Sequence, residues 1–245
     1  MALYRQEAVV LRTYKLGEAD RIVVLYTRSR GKVRAVAKGV RRTRSKFGSR
    51  LEPGSVVHLQ LYEGRNLDIV TQAETALLFP SLRSDIEAFG RASILLEIID
   101  QVAVEGESNP AVYKLLTGAL AELDRAGNPL VVPAFVGKLL VLEGVQPQLG
   151  QCVQCGTADD LVSIEISEGG AFCREHRRGE RVSPEARWAL ERVFNGHVRQ
   201  LLETASPTLA LEIEVLANRL IEQHLERRLR TASVLAQTAG SGPVS

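Results

Sequence analysis

The stretch Ser55-Val-Val-His-Leu-Gln-Leu-Tyr62 alternates between apolar and polar side chains. Val57, Leu59 and Leu61 share one face of this stretch, and the side chains between them share the other. A period of two residues is typical of a β-strand with one face buried and the other in water. The stretch therefore predicts one strand of a β-rich N-terminal region.

Valine, isoleucine, leucine and tyrosine dominate four further runs in the first 80 residues, and glycine and proline separate these runs. Five short strands in about 75 residues fit a small closed barrel such as the OB-fold, whose open face binds single-stranded nucleic acid. An SH3-like barrel or a simple antiparallel sheet has the same signature, so the strand count does not choose among the three. The predicted strands are Tyr4–Arg12, Arg21–Thr27, Lys32–Lys38, Ser55–Tyr62 and Leu67–Glu74.

After Pro80 the pattern becomes helical. Serine, aspartate, asparagine and proline mark helix starts, and apolar residues recur behind them at helical spacing. These stripes predict the core of a helical bundle, and the composition from about Thr231 predicts a disordered tail. The predicted helices begin at Ser84-Asp85, Asn109-Pro110, Pro133, Ser183-Pro184 and Ser206-Pro207, and the last carries a stripe of Leu211, Val215, Leu216, Leu220 and Leu225.

All three cysteines lie in one segment, in which Cys152-Val-Gln-Cys155 is followed after 17 residues by Cys173-Arg-Glu-His176. A CxxC turn places two thiolates on one side of a tight loop, and a second such turn completes a tetrahedron. The spacing predicts one structural Zn²⁺ site with Cys152, Cys155, Cys173 and His176 as ligands, and Glu175 is the alternative fourth ligand. Four protein ligands leave no open position for water, so catalytic zinc is not expected. Free thiols near a surface histidine, or a CxxC redox pair, are the competing interpretations.

The composition excludes several classes of protein. Hydrophobic residues make up 45% of the 245 residues and charged residues 24%, as in an ordinary globular protein. No apolar stretch approaches the roughly 20 residues that span a bilayer, and the charged N-terminus lacks the apolar core of a signal peptide. An odd number of cysteines argues against a disulfide framework and for a reducing compartment, so a cytoplasmic location is expected.

Positive charge is concentrated at the beginning of the chain. Residues 1–50 hold 14 lysines and arginines against three acidic residues, although the whole chain has a net charge of only +2. A basic segment that repels itself gains stability when phosphates neutralise it and counterions are released. The alternative to a polyanion-binding face is a basic surface that is solvated and has no partner. The candidate nucleic-acid-binding residues are Lys32, Arg34, Lys38, Arg41, Arg42, Arg44, Lys46 and Arg50, with Phe47, Tyr14, Tyr26 and Tyr62 as possible stacking surfaces for bases.

No motif of a catalytic site is present. The sequence lacks the phosphate-binding GxxxxGKS/T, the GxSxG of hydrolases and the HExxH of metalloproteases. Glu18 and Asp20 precede a predicted strand, where pairing with Arg21 or capping of a turn is the simpler interpretation. The residues therefore favour non-catalytic nucleic-acid binding. The alternatives are a nucleic-acid-processing enzyme and an RNA-binding module that combines a basic barrel with structural zinc.

Several motifs resemble those of the bacterial RecO family of DNA repair proteins, the recombination mediators of the RecFOR pathway. The resemblance implies an α+β multidomain fold, with an N-terminal five-stranded OB-fold β-barrel followed by an α-helical domain with an inserted zinc finger. Family members often carry four cysteines in the zinc site, whereas this chain has His176 at the fourth position. The motifs are Gly17-Glu-Ala-Asp-Arg-Ile22, Gly31-Lys32, Ala37-Lys-Gly-Val-Arg-Arg42, Ser45-Lys-Phe-Gly48, Tyr62-Glu-Gly-Arg65 and Gln72-Ala-Glu74.

The resemblance also implies a function. A RecO-like protein is not an enzyme; it binds single- and double-stranded DNA and anneals complementary strands. With RecR it promotes loading of RecA onto single-stranded DNA coated by single-stranded DNA-binding protein (SSB). The implied location is cytoplasmic, with association to the bacterial nucleoid during repair. The predicted domains are 1–80 (OB-fold, DNA-binding), 81–149 (first part of the helical domain), 150–180 (zinc finger), 181–230 (second part of the helical domain) and 231–245 (disordered tail).

Overall fold

A computed structural model describes residues 2–42, 45–204 and 206–231. These residues form two compact units, one ending at Gly127 and the other beginning at Asn128. Within these ranges, no helix combines the length and the apolar character needed to cross a membrane. The five predicted domain boundaries stay predictions, and most of the predicted tail, residues 232–245, lies outside the described residues.

The described part of the first unit contains the five predicted strands, closed into a barrel in the order β1-β2-β3-β5-β4. The barrel closes because β1 pairs with both β2 and β4, while β3 and β5 run parallel to each other. Closure rules out a simple antiparallel sheet, and the arrangement is that of a five-stranded OB-fold. The strands are β1 (Leu3–Leu16), β2 (Asp20–Thr27), β3 (Gly31–Ala37), β4 (Val56–Tyr62) and β5 (Asp68–Leu77).

The alternation that predicted β4 is confirmed by burial. Val57, Leu59 and Leu61 lie inside the barrel, whereas His58 and Tyr62 are exposed. The long first strand serves two neighbours through a shift of register between Val10 and Arg12. Such a bulge bends a strand and increases its twist, which lets one strand take part in both sides of a closed barrel.

The connection between β3 and β4 is anchored in the barrel core. A short 3₁₀ helix, Gly48–Leu51, turns Phe47 and Leu51 inward, and both side chains are almost fully buried. Burying two large apolar side chains contributes about 1.5–3 kcal/mol each. Phe47 therefore holds the basic connection against the barrel and is not available as a stacking surface for bases.

The described part of the first unit also contains three helices, and the starts of the two longer ones follow the predicted capping signals. The Asp85 carboxylate accepts hydrogen bonds from the N–H groups of Glu87 and Ala88, which caps the second helix. Asn109 caps the third helix, which ends at Gly127 in the left-handed conformation with φ +58°. The helices are α1 (Ser81–Ser84), α2 (Ile86–Val102) and α3 (Pro110–Ala126).

Helices α2 and α3 cover part of the outer surface of the barrel. Tyr26 of β2 is buried against Tyr113 of α3, with ring centroids 6.3 Å apart, so it does not offer a stacking surface either. The segment between the two helices lies against the start of β3. A Cβ atom at Gly31, where φ is +63°, would lie 1.9 Å from the carbonyl oxygen of Glu107. This close approach places an acidic segment, residues 103–109, beside the basic β3 strand.

The described part of the second unit combines a small three-stranded sheet with helices. Its longest helix, α7, buries Ile213, Ala217 and Leu220, whereas Leu211 and Val215 of the predicted stripe are exposed. The prediction of the buried face was therefore partly wrong, because α7 carries two apolar stripes and packing against α4 and α5 selects one. The elements are α4 (Val131–Leu142), β6 (Leu161–Glu165), β7 (Gly170–Cys173), β8 (Glu180–Arg181), α5 (Pro184–Phe194), α6 (Val198–Thr204, not predicted) and α7 (Pro207–Leu225).

Candidate nucleic-acid interface and metal centre

The basic residues of β3 follow the alternation of the strand. Ala35 and Ala37 point into the barrel core, whereas Arg34 and Lys38 point outward and are exposed. The loop that follows carries a further set of exposed cations. We call this group the basic surface, and it consists of Arg34, Lys38, Arg41, Arg42, Lys46 and Arg50.

Backbone hydrogen bonds hold the loop to the tip of the β1–β2 hairpin. The Asp20 carboxylate accepts a hydrogen bond from the Gly39 N–H at 2.7 Å. The Arg41 N–H donates to the Ala19 carbonyl at 3.0 Å, and its guanidinium donates to the Glu18 carbonyl at 2.9 Å. Asp20 thus fixes a turn, which agrees with the simpler of its two sequence interpretations.

The far end of the loop is fixed to another strand. Lys46 Nζ donates to the Thr71 carbonyl of β5 at 2.9 Å, and the Arg50 guanidinium donates to the Phe47 carbonyl at 3.2 Å. The predicted site residue Arg44 lies outside the described residues. The loop therefore presents its cations from a backbone that is anchored at both ends.

The basic surface contains cations without acidic partners. In the part of the chain that the structure describes, no carboxylate oxygen lies within 4.0 Å of any of its six cationic groups. The neighbouring cation Arg21 differs, because it pairs with Glu52 at 2.9 Å. Exposed cations without acidic partners raise the local potential and attract polyanions.

Lys32 differs from the other candidate residues. Its side chain is only 17% exposed, and Nζ donates to the Asp100 carbonyl of α2 at 2.6 Å. Nζ also lies 3.8 Å from Oδ1 of Asp100, whose other oxygen pairs with Arg12 at 2.7 Å. Lys32 therefore links the barrel to α2 and is not freely available to a phosphate.

We expect Lys32→Ala to lower the free energy of unfolding by about 2 kcal/mol, because the buried Asp100 carboxylate would lose one of two cationic partners. Urea denaturation measures this change. Arg34→Ala is the matched control, since Arg34 is exposed on the same face of the same strand, and its effect should stay within about 0.5 kcal/mol. Equal destabilisation by the two substitutions would contradict the structural role of Lys32.

The second candidate site is a cluster of sulfur and nitrogen atoms in the second unit. The ligand atoms of Cys152, Cys155, Cys173 and His176 all lie within 4.8 Å of one another. The Sγ atoms of Cys155 and Cys173 are 3.8 Å apart, and Nδ1 of His176 is 3.3 Å from Sγ of Cys173. Zn–S bonds of about 2.3 Å in a tetrahedron give a similar S···S spacing, so the cluster is consistent with a zinc site.

Local structure explains why these four side chains meet. The Cys152 N–H donates to the Thr157 carbonyl at 2.7 Å, which closes the first turn around Cys155. Cys173 is the last residue of β7, and the His176 N–H donates to its carbonyl at 3.2 Å. The strand hairpin brings the end of β7 back beside the first turn, as the spacing predicted.

The pKa values of the two thiols in the first turn shift in opposite directions. A hydrogen bond from the Thr157 N–H lowers the pKa of Cys155, but burial and the neighbouring thiols of Cys152 and Cys173 outweigh it and raise that pKa. Burial by itself would raise the pKa of the Cys152 thiol, but hydrogen bonds from the N–H groups of Cys173, Cys155 and Gln154 outweigh it and lower the pKa to about 6.

An ion pair outside the cluster supports the second turn. Arg174 donates two hydrogen bonds to Asp160, which lower the pKa of that carboxyl.

Sequence analysis did not identify every residue near the basic surface. Arg12 and Tyr14 of β1 lie on the outer side of the barrel, separated from β3 by β2, and Asp100 of α2 contacts Arg12 and Lys32. Tyr14 was suggested as a stacking surface and is indeed exposed. No signal in the sequence pointed to Asp100, because its partners are more than 60 residues away along the chain.

The fold and the sites define a class of protein that joins a basic OB-fold barrel to a helical unit containing a Cys₃His cluster. Residues 1–79 match the family described as Recombination protein O N terminal, and residues 83–232 match Recombination protein O C terminal. The chain belongs to the RecO family of DNA repair proteins. Its role is therefore in DNA repair and recombination.

Curated relatives agree with this assignment. The chain is 46% identical to the DNA repair protein RecO of Bifidobacterium longum (strain DJO10A) over 177 residues, which cover 71% of this chain and 74% of that protein. It is 40% identical to the DNA repair protein RecO of Bifidobacterium longum subsp. infantis over 245 residues, covering 96% and 99%. It is 45% identical to the DNA repair protein RecO of Cutibacterium acnes over 181 residues, covering 71% and 74%.

Proposed function

We propose that this protein is a non-catalytic recombination mediator that binds single- and double-stranded DNA and anneals complementary strands. The observation that carries the proposal is the basic surface, whose six cations have no carboxylate partner among the described residues. Family membership supports the DNA-repair context. The binding residues would be Arg34, Lys38, Arg41, Arg42, Arg44, Lys46 and Arg50, while Lys32 would support them from within the fold.

Annealing follows from electrostatics in this proposal. Two complementary strands repel each other because each phosphate carries a negative charge. A fixed basic surface that binds both backbones lowers this repulsion and raises the rate at which the strands meet. The anchors on either side of residues 43–44 help, because the backbone at Arg41 and at Phe47 needs little further ordering when phosphates bind. The process needs no hydrolysis of a nucleotide, and the sequence contains no phosphate-binding GxxxxGKS/T loop.

We also propose that the Cys₃His cluster holds one structural Zn²⁺ ion. The donor set fits, because three sulfur atoms and one imidazole nitrogen are usual ligands of tetrahedral zinc. Bound zinc would supply folding free energy to a segment whose sheet has strands of only two to five residues. The four protein side chains fill the coordination shell, so the ion would have no open position for catalysis.

The proposed partners follow from the family. RecR would bind this protein, and SSB would present the single-stranded DNA. RecA would then be loaded onto that DNA without contacting this protein directly. The proposed location is the bacterial cytoplasm, at the nucleoid during repair. Residues 51–245 are acidic as a whole and should not bind DNA as a whole. In this proposal they contact the partner proteins instead.

An annealing assay with two complementary, fluorescently labelled oligonucleotides tests the proposal. We expect the protein to accelerate annealing without any nucleotide cofactor, and the acceleration should fall steeply as salt increases. No acceleration at low salt would refute the annealing function. Turnover of the oligonucleotides would favour the nucleic-acid-processing enzyme, and stronger binding to structured RNA than to DNA would favour the RNA-binding module.

A further inference from the structure

A cavity of about 410 Å³ opens on the outer face of β1, β2 and β3, next to the basic surface. Strand register places Arg12, Val24 and Arg34 side by side across the three strands, and Tyr14 beside Ile22 in the next row. The cavity thus has an apolar floor from β2 and longer side chains at both sides. A flat apolar floor with an exposed aromatic wall is suited to a planar, partly apolar ligand.

One wall of the cavity is held in a fixed position. The Arg12 guanidinium lies 4.8 Å from the ring centroid of Tyr14 and pairs with Asp100 at 2.7 Å. Asp100 is only 8% exposed, and its Oδ1 has no hydrogen-bond partner in the described structure. Because Asp100 neutralises Arg12 and lies near Lys32, this wall is a poor phosphate site and a good stacking surface.

The opposite end of the cavity carries a free carboxylate. Glu105 is exposed and lines the cavity, and bridges to Gly31 and Lys32 fix its backbone. Within the described ranges, Glu105 has no ion-pair partner. A carboxylate repels a phosphate, but it accepts hydrogen bonds from an amino group. The stacking wall favours a ligand with a planar ring. Glu105 favours an amino group at one edge of that ring, and Arg34 favours an anionic group nearby.

We propose that this cavity binds one unpaired nucleobase that carries an exocyclic amino group. The base extends the stack formed by the Tyr14 ring and the Arg12 guanidinium over it, its amino group donates to Glu105, and its phosphate lies at Arg34. A base inside a duplex is stacked on its neighbours, so only an unpaired base can take part in this stack, and the subsite takes single-stranded nucleic acid. The inference rests on the proposed DNA-binding function and adds a base preference to it.

Oligonucleotides of deoxycytidine and of thymidine, equal in length, test the inference by fluorescence anisotropy. Cytosine has an amino group at the position where thymine has a carbonyl oxygen, and glutamate accepts from this amino group. We expect the wild-type protein to bind the cytosine oligomer about three- to tenfold more tightly, the value of one hydrogen bond. Glu105→Ala removes both the acceptor and the negative charge, so it should abolish this ratio while raising the affinity for both oligomers.

Glu107→Ala is the matched control, because Glu107 is exposed on the same segment but does not line the cavity. It should raise both affinities and leave the ratio unchanged. Tyr14→Ala should weaken binding of both oligomers, since stacking on an aromatic ring does not depend on the amino group. Binding without a cytosine preference, or a ratio that Glu105→Ala leaves unchanged, would overturn the inference. Failure to bind either oligomer would instead refute the proposed function.

Discussion

Cys173→Ser is expected to abolish stoichiometric zinc binding and to unfold the segment around the cluster. Sγ of Cys173 lies 3.8 Å from the thiol of Cys155 and 3.3 Å from Nδ1 of His176, so it is in close contact with two of the other three donor atoms. Loss of a direct ligand should lower zinc affinity by more than about 100-fold, the upper range for loss of a supporting hydrogen bond alone. Zinc content measured by mass spectrometry of the purified protein reports the loss.

Amide hydrogen exchange gives the structural readout. Protection should disappear in β6 and β7 and persist in the barrel strands, because the barrel has its own buried core. The short sheet cannot compensate for the metal by burial, since its three strands contain only two to five residues each.

Two further substitutions control this prediction. His176→Ala should also lose the metal, whereas Glu175→Gln should keep it, because the structure brings His176 and not the exposed Glu175 into the cluster. His197→Ala changes an exposed histidine elsewhere and should keep the metal as well. Retention of one zinc per chain by Cys173→Ser would show that the cluster is not the metal site.

The double substitution Arg41→Glu/Arg42→Glu should weaken DNA binding by at least about tenfold at low salt and flatten its dependence on salt. Each phosphate contact contributes about 0.7 to the slope of log K against log salt for single strands. Removal of two contacts should therefore reduce the magnitude of the slope by about 1.4. Anisotropy titrations at a series of salt concentrations measure both quantities.

Arg227→Glu/Arg228→Glu is the matched control for charge. It replaces another pair of adjacent, exposed arginines, so the net charge changes equally, but these residues lie in the second unit. Its salt slope should equal that of the wild type. Arg41 also donates to the Glu18 carbonyl, so Arg42→Glu alone separates charge from loop anchoring and should reduce the slope by about half as much. Equal effects of the two double substitutions would show that net charge, and not the basic surface, controls binding.

The loop that carries Arg42 is held in place by contacts that do not involve the Arg42 side chain. Phe47 and Leu51 anchor the loop by burial, and Asp20 anchors its start through the Gly39 N–H. Neither anchor involves Arg42. A loss of affinity in Arg42→Glu without a change in the urea midpoint would therefore report a lost phosphate contact rather than an altered fold.

Local patterns in the sequence determined most of the secondary structure and the Cys₃His cluster. Alternation in Val57, Leu59 and Leu61 fixed a strand face, and Asn109 with Pro110 fixed a helix start, because both signals act within a few residues. The CxxC and CxxH spacings predicted the Cys₃His cluster in the same way, since each pair of residues closes its own tight turn.

The tertiary structure decided which apolar and charged side chains are available. Phe47 and Tyr26 looked like stacking surfaces in the sequence, but closure of the barrel buries Phe47 and packing of α3 buries Tyr26. The buried face of α7 was likewise chosen by α4 and α5. These outcomes depend on contacts between residues far apart in the chain, which no local pattern records.

The same division applies to the basic residues. The sequence alone established that 14 lysines and arginines lie in the first 50 residues, and this concentration of charge predicts a polyanion as partner. Only the folded chain separated Lys32, which is paired with Asp100 of α2, from Arg34 and Arg42, which face solvent. The physical reason is that a charge is neutralised by whatever lies within a few ångströms of it, and the fold determines those neighbours.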